Sequence, residues 1–170
     1  MSFITPRQSE LAREIAVHLA AANEKLAVAE SSSGGLVSAC LLSVPGASSF
    51  FIGGAVLYSY RIREQIVALG RKEHQRYGGS TPELILDIAL KFKEKTGADW
   101  VIGEGGAAGP SQSPYGHNAG YTALAVAGPI CRTKIIETGK SARIGNMSEF
   151  TTALLDFFLS ILEERNTLKK

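Results

Sequence analysis

The sequence predicts a layered α/β/α domain, a mixed β-sheet flanked by helices. Short apolar runs of strand length alternate with segments whose apolar residues recur at helical spacing. The elements fall in the order α-β-α-β-α-α-β-β-β-α, which gives a mixed sheet with helices on its faces. No repeat, low-complexity tract or linker divides the chain.

Leu11, Ile15, His18, Leu19 and Ala22 share one side of a first helix expected over residues 9–23, with Ser9 as its N-cap. A strand over 26–29 and a helix over 34–43 follow, and Val44-Pro45-Gly46-Ala47-Ser48-Ser49 reads as a turn. Residues 50–58 read as a strand carrying Gly53-Gly54, a pair that marks a bulge or a close backbone approach. A short helix over 61–69 is expected to end at Gly70. In Ser80-Thr81-Pro82-Glu83 a hydroxyl precedes a proline suited to the first helical position, so a full helix is expected over 82–95, closed by Gly97. Residues 100–104 read as a buried strand, 105–114 as a loop of glycines and short hydroxyls, and 121–127 and 134–138 as strands. A last helix over 148–164 is expected to bury Phe150, Leu154, Leu155, Phe158, Ile161 and Leu162.

At 170 residues the chain is expected to form one domain over 1–170, with a core over about 8–164 and loose ends. Two cysteines, Cys40 and Cys131, lack a CxxC spacing and suggest neither zinc nor a redox pair. No cofactor or metal is expected, and the compartment is read as reducing and cytoplasmic. No leader pattern or long uncharged apolar run is present, so no membrane association is expected. The formal charge is +2, with local basic excesses only at Arg61/Arg63, Arg71/Lys72 and Lys169-Lys170. That is a solvated surface, and nucleic acid is not the expected partner.

The segment Ala29-Glu30-Ser31-Ser32-Ser33-Gly34-Gly35 joins an apolar strand to an apolar helix. Such a junction places hydroxyls and free backbone N–H groups where α/β proteins hold anions and nucleophiles, and equally where a helix is merely capped. P-loop, GxSxG, HExxH, SxxK and GxGxxG patterns are all absent. Of the histidines, His18 reads as a packed boundary residue and His74, after Arg71-Lys72-Glu73, as solvated surface. Only His117, in the glycine-rich loop, is placed where a ligand would reach it. Tyr58-Ser59-Tyr60, Arg61, Arg63 and residues 105–114 fall at strand ends, so they are expected around one pocket suited to an anionic, nucleotide-like ligand.

Several collinear segments share one family's order and spacing: residues 29–35, Val44-Pro45-Gly46-Ala47-Ser48-Ser49, Phe51-Ile52-Gly53-Gly54-Ala55-Val56-Leu57-Tyr58-Ser59, Leu69-Gly70, Ser80-Thr81-Pro82-Glu83 and Gly106-Ala107-Ala108-Gly109-Pro110. Over about residues 8–162 the chain resembles the CinA C-terminal domain family. The resemblance implies a stand-alone version of a domain that longer members fuse to an N-terminal module. It also implies nicotinamide mononucleotide (NMN) amidohydrolase activity, giving nicotinic acid mononucleotide and ammonia, and a homo-oligomer. By the same resemblance the nucleophile is Ser31, a tyrosine matches Tyr58, and the base, a lysine, is replaced here by Arg63. Glu30, Ser33, Gly34, Gly35, Ser48, Gly106, Ala107, Gly109 and Arg143 are the expected substrate contacts.

A serine needs a proton acceptor, and a buried lysine can serve, whereas an arginine stays protonated. Arg63 is therefore expected to orient Ser31, bind a phosphate or hold an oxyanion, with Tyr58 or water taking the proton. The family's Cys-Thr is Ser32-Ser33 here, and its Lys-Pro pair in the glycine-rich loop is His117-Asn118. Its Gly-Asp-Arg stretch reads Gly139-Lys140-Ser141-Ala142-Arg143-Ile144-Gly145-Asn146, where Lys140 or Arg143 would supply the missing positive charge. Three readings stand: an amidohydrolase using Ser31, a nucleotide-binding homologue without turnover, and a hydrolase of a related amide.

Overall fold

The computed structural model describes residues 3–168. The loose ends and the basic Lys169-Lys170 pair expected from the sequence lie partly or wholly outside these residues. Helix α1 (Pro6–Ala22) starts a turn earlier than the sequence reading placed it. The Thr5 hydroxyl accepts the Gln8 N–H, and the Gln8 side chain accepts the Thr5 N–H, a capping box with proline in the first turn.

Strand β1 (Leu26–Glu30) leads into α2 (Leu36–Leu42), a 3-10 turn over Ala47–Ser49 and β2 (Phe51–Val56). Next come α3 (Tyr60–Val67), α4 (Arg71–Arg76), which the sequence reading lacked, and α5 (Pro82–Thr96). Ala68 in the left-handed conformation closes α3, and Gly70 instead begins α4, its N–H held by the Glu73 carboxylate.

Strand β3 (Trp100–Ala107) runs three residues beyond its expected end, through glycines first read as loop. Strands β4 (Tyr121–Ala127) and β5 (Arg132–Glu137) precede the last helix, α6 (Arg143–Leu168), which begins five residues before the expected start.

The sheet order is β2-β1-β3-β4-β5, with β1 parallel to β2 and β3 and the remaining pairs antiparallel. Side chains alternate across it. Leu26, Val28, Trp100, Ile102, Leu124 and Val126 pack under α1, α2 and α6. Ala27, Ala29, Val101, Ala123, Ala125 and Ala127 face α5, and their small size lets that helix lie close. From β1 the chain goes to β2 on one side, then crosses to β3 on the other, so the carboxyl ends of β1 and β3 form a topological switch point.

Candidate active site

Glu30 ends β1 and Glu104 lies within the neighbouring parallel strand β3, both on the α2/α6 side of the sheet and almost wholly buried. Glu30 accepts hydrogen bonds from the N–H groups of Gly35, Val37 and Ser38 and from the Ser33 and Ser38 hydroxyls. It anchors the start of α2. Glu104 accepts the Ser31 N–H at 2.7 Å, the Ser33 N–H at 2.8 Å, and the hydroxyls of Ser32, Ser33 and Thr122. Two buried carboxylates thus fix the loop 31–35 by charge-assisted bonds, each worth more than a neutral one.

This consumption of donors sorts the serines. Ser32, Ser33 and Ser38 spend their hydroxyls on Glu30 and Glu104. Among the described residues the Ser31 hydroxyl has no hydrogen-bond partner, and Ser31 lines a cavity of about 350 Å3. The backbone divides similarly. The amides of Ser31, Ser33, Gly34 and Gly35 are all engaged, whereas that of Ser32 is unpaired among the described residues. A free hydroxyl followed by a free N–H is the arrangement that serves an acyl-transfer nucleophile and its oxyanion.

The cavity lies on the α5 side, and glycine shapes its floor. A Cβ on Gly105 would stand 2.6 Å from Ile85 Cδ1 and 3.8 Å from Ser31 Cβ. At Gly106 it would meet the Tyr121 carbonyl at 2.1 Å, so β3 and β4 approach closely only because that residue lacks a side chain. The walls come from Leu57, Tyr58, Tyr60, Arg63, His74, Ser113, Tyr115 and His117. The sequence-predicted Ser31, Tyr58, Arg63 and Gly106 therefore share one cavity.

Tyr58 and Arg63 have different hydrogen-bond partners. The Arg63 Nη1 group donates to His74 Nδ1 at 3.1 Å, and its guanidinium lies 5.1 Å from the Tyr60 ring centre. The guanidinium near Tyr58 belongs to Arg143, whose Nη2 donates to the Tyr58 hydroxyl at 3.4 Å while Nη1 holds the Gly109 carbonyl at 2.8 Å. Arg143 lines a second cavity, with Ser32, Tyr58, residues 106–114 and the left-handed Gly109, that adjoins the first. Ala107 belongs to the lining of this second cavity.

His74 corrects a sequence reading: it is buried, not solvated, with Tyr60 and Tyr115 edge-on to its ring. Burial, then Arg63 and His117, push its pKa down to about 4, and its acceptance of the Arg63 proton fixes a neutral ring. His117 stacks on Tyr121 at 4.1 Å, and burial lowers its pKa too. Burial also lowers Arg63.

Other expected contacts fall elsewhere. Ser48 is exposed on the 3-10 turn before β2, at the end of the sheet opposite Ser31. The Glu30 carboxylate and the Ser33 hydroxyl serve the loop, and Lys140 pairs with Glu149 on α6. Gly34 and Gly35 supply left-handed backbone that turns the chain into α2. Sequence reasoning missed Glu104 and Asn146. Asn146 donates to the Ala108 and Lys140 carbonyls and accepts from Thr138, tying the β3–β4 loop to α6. Among the described residues no group of three or more His, Cys, Asp or Glu is placed to hold a metal. None of their helices is long and apolar enough to cross a membrane.

A family model for the CinA C-terminal domain matches residues 8–162. A CinA-like protein of Prochlorococcus marinus (strain MIT 9312) is 32% identical over 145 residues, covering 85% of this chain and 34% of that protein. One from Thermotoga neapolitana is 38% identical over 103 residues, 60% of this chain and 25% of that protein. The chain thus spans about a quarter to a third of these curated relatives. Among solved structures, the competence/damage-inducible protein CihA of Agrobacterium tumefaciens superposes with a TM-score of 0.87 at 22% identity, covering 96% of this chain and 99% of that one. A competence-damaged protein (CinA) superfamily member from Escherichia coli gives 0.85 at 20% identity, covering 91% and 90%. At these identities the structural likeness concerns the fold.

Proposed function

The chain belongs to the CinA C-terminal domain family, and from that premise we propose that it is a serine-dependent amidohydrolase converting NMN to nicotinic acid mononucleotide and ammonia. The observation that carries this reading is an unengaged Ser31 hydroxyl in the first cavity, followed in the chain by a Ser32 amide that is unpaired among the described residues. Ser31 Oγ attacks the carboxamide carbon and gives its proton to water, or to the Tyr58 oxygen as that phenol passes its own proton on to the amide nitrogen. The Ser32 N–H stabilises the resulting oxyanion. The intermediate collapses as the nitrogen takes a proton and leaves as ammonia, forming an ester on Ser31. Water then cleaves that ester, releasing the acid and restoring the hydroxyl.

Arg143 supports the Tyr58 step, because its guanidinium donates to the phenol oxygen and holds that oxygen in place for the proton relay. The ligand is proposed to be a small-molecule nucleotide, and the protein a cytoplasmic homo-oligomer. The two free cysteines support the reducing compartment, and light scattering tests the assembly.

One observation favours a second reading, a nucleotide-binding homologue without turnover. No side chain among the described residues accepts a hydrogen bond from Ser31 Oγ, and the expected base is an arginine turned to His74. Ammonia release from NMN separates the readings. Turnover abolished by Ser31→Ala supports the amidohydrolase. A silent wild type that gains turnover on Arg63→Lys supports the binding homologue.

A further inference from the structure

Arg63 is an anomaly of charge. It is only 6% exposed, it makes no ion pair, and its Nε has no hydrogen-bond partner among the described residues. Its contacts are the neutral His74 ring and the face of Tyr60. Burial lowers its pKa, yet an arginine does not give up its proton, so a full positive charge stands in the cavity wall without a counter-charge. Structural arginines at this depth are ordinarily neutralised by a carboxylate. Here Glu30 and Glu104, which also border the cavity, are engaged by the loop 31–35, the start of α2 and Thr122.

A second orphan belongs to a residue of the same lining. His117 Nε2 is buried without a hydrogen-bond partner, its ring held in place by stacking on Tyr121. Tyr60 and Tyr115 bring phenols to the same wall and pack edge-on against His74. An oxyanion entering there would supply the missing counter-charge to the Arg63 guanidinium, while His117 offers a further polar contact.

We propose that Arg63 is the anchor of a buried oxyanion subsite, completed by His117, that receives the phosphate or carboxylate group of the ligand. Arg63 thus binds and is not a substitute base. The inference rests on reading this cavity as the substrate site, and it assigns the cavity's deep end to the charged group, away from Arg143. Binding also reaches His74, because an anion on Arg63 removes part of the repulsion that keeps that ring neutral, so its pKa rises.

The test is equilibrium binding, independent of turnover. Inorganic phosphate, acetate, NMN and its phosphate-free riboside are titrated into wild type, Ser31→Ala, Arg63→Gln, Arg63→Lys and Arg143→Gln. His74 ring resonances are followed in the wild type. The expected result is binding of phosphate or acetate that shifts the His74 titration upward, and affinity loss of about tenfold or more in Arg63→Gln, as for a charge-assisted bond. Arg63→Lys keeps part of the affinity, Ser31→Ala all of it, and Arg143→Gln most. Phosphate binding with preference for NMN over the riboside marks a phosphate site, and acetate binding without that preference a carboxylate site.

An unmoved His74, or oxyanion affinity that survives Arg63→Gln, overturns the proposal. Arg63-dependent binding in a protein that releases no ammonia from NMN would sink the amidohydrolase reading alone. Ammonia release with Arg63-independent affinity would sink the subsite alone.

Discussion

The Glu104 carboxylate accepts the backbone N–H of Ser31 at 2.7 Å, linking residues 73 apart in the chain. Through Ser33 and Ser32 the same carboxylate holds the next two residues. Ser31 therefore owes its position to a residue on another strand. Glu104→Ala strands two buried amides and is expected to cost about 3 kcal/mol, whereas Glu104→Gln keeps one acceptor oxygen and costs about 1 kcal/mol. Denaturant unfolding measures the difference. In steady-state kinetics the alanine variant should lose kcat more than it raises KM, and the glutamine variant should recover part of that loss.

Gly106 is held by backbone, not by a movable side chain. An alanine there places Cβ 2.1 Å from the Tyr121 carbonyl, so β3 and β4 must separate. The expected cost is about 3 kcal/mol, lowering Tm by roughly 6–12 °C in a chain of this size. Calorimetry of Gly106→Ala checks it. Gly116→Ala, whose Cβ would meet nothing within 4 Å but whose φ is +87°, should cost less.

The sequence carried those elements whose signals are local. The Tyr121–Ala127 strand, apolar but for Thr122, matches the structure residue for residue, and the Thr81-Pro82 start of α5 does too. The tail of β3 was read as loop because glycine's usual meaning is a turn, while here Gly105 and Gly106 serve close approach from α5 and β4. His74 follows a string of charges that reads as surface, and its ring is packed by Tyr60 and by Tyr115, far along the chain. Arg143 was named, but its contact with Tyr58 depends on how α6 meets the β3–β4 loop, which Asn146 fixes. Glu104 carried no local signal beyond an acid in an apolar strand.

The buried neutral His74 makes stability depend on pH. Its folded pKa, about 4, lies below the ordinary 6.5, so the unfolded chain takes up a proton first as pH falls. The contribution is fully present above about pH 6.5, declines between 6.5 and 4, and is flat below. It amounts to up to about 3 kcal/mol. His74→Gln, which keeps an acceptor for Arg63, should flatten the curve in that window. The wild-type minus variant difference in chemical unfolding, taken from pH 7 to 4, measures it. A difference that grows only above pH 7 would contradict the assignment.

Arg143 and Tyr58 should act as one unit. Tyr58→Phe is expected to lower kcat about a hundredfold or more, as for loss of a proton-transfer group. Arg143→Gln should lower it less. In the double variant the losses should fall well short of their product, because Arg143 acts through the Tyr58 oxygen. Fully multiplicative losses would separate the two residues.

Ammonia released from NMN by the purified protein, compared with Ser31→Ala, tests the central claim most directly. The account predicts steady release by the wild type, with nicotinic acid mononucleotide formed in equal amount, and loss of both in Ser31→Ala while NMN binding persists. Release that continues undiminished in a folded Ser31→Ala protein would contradict it.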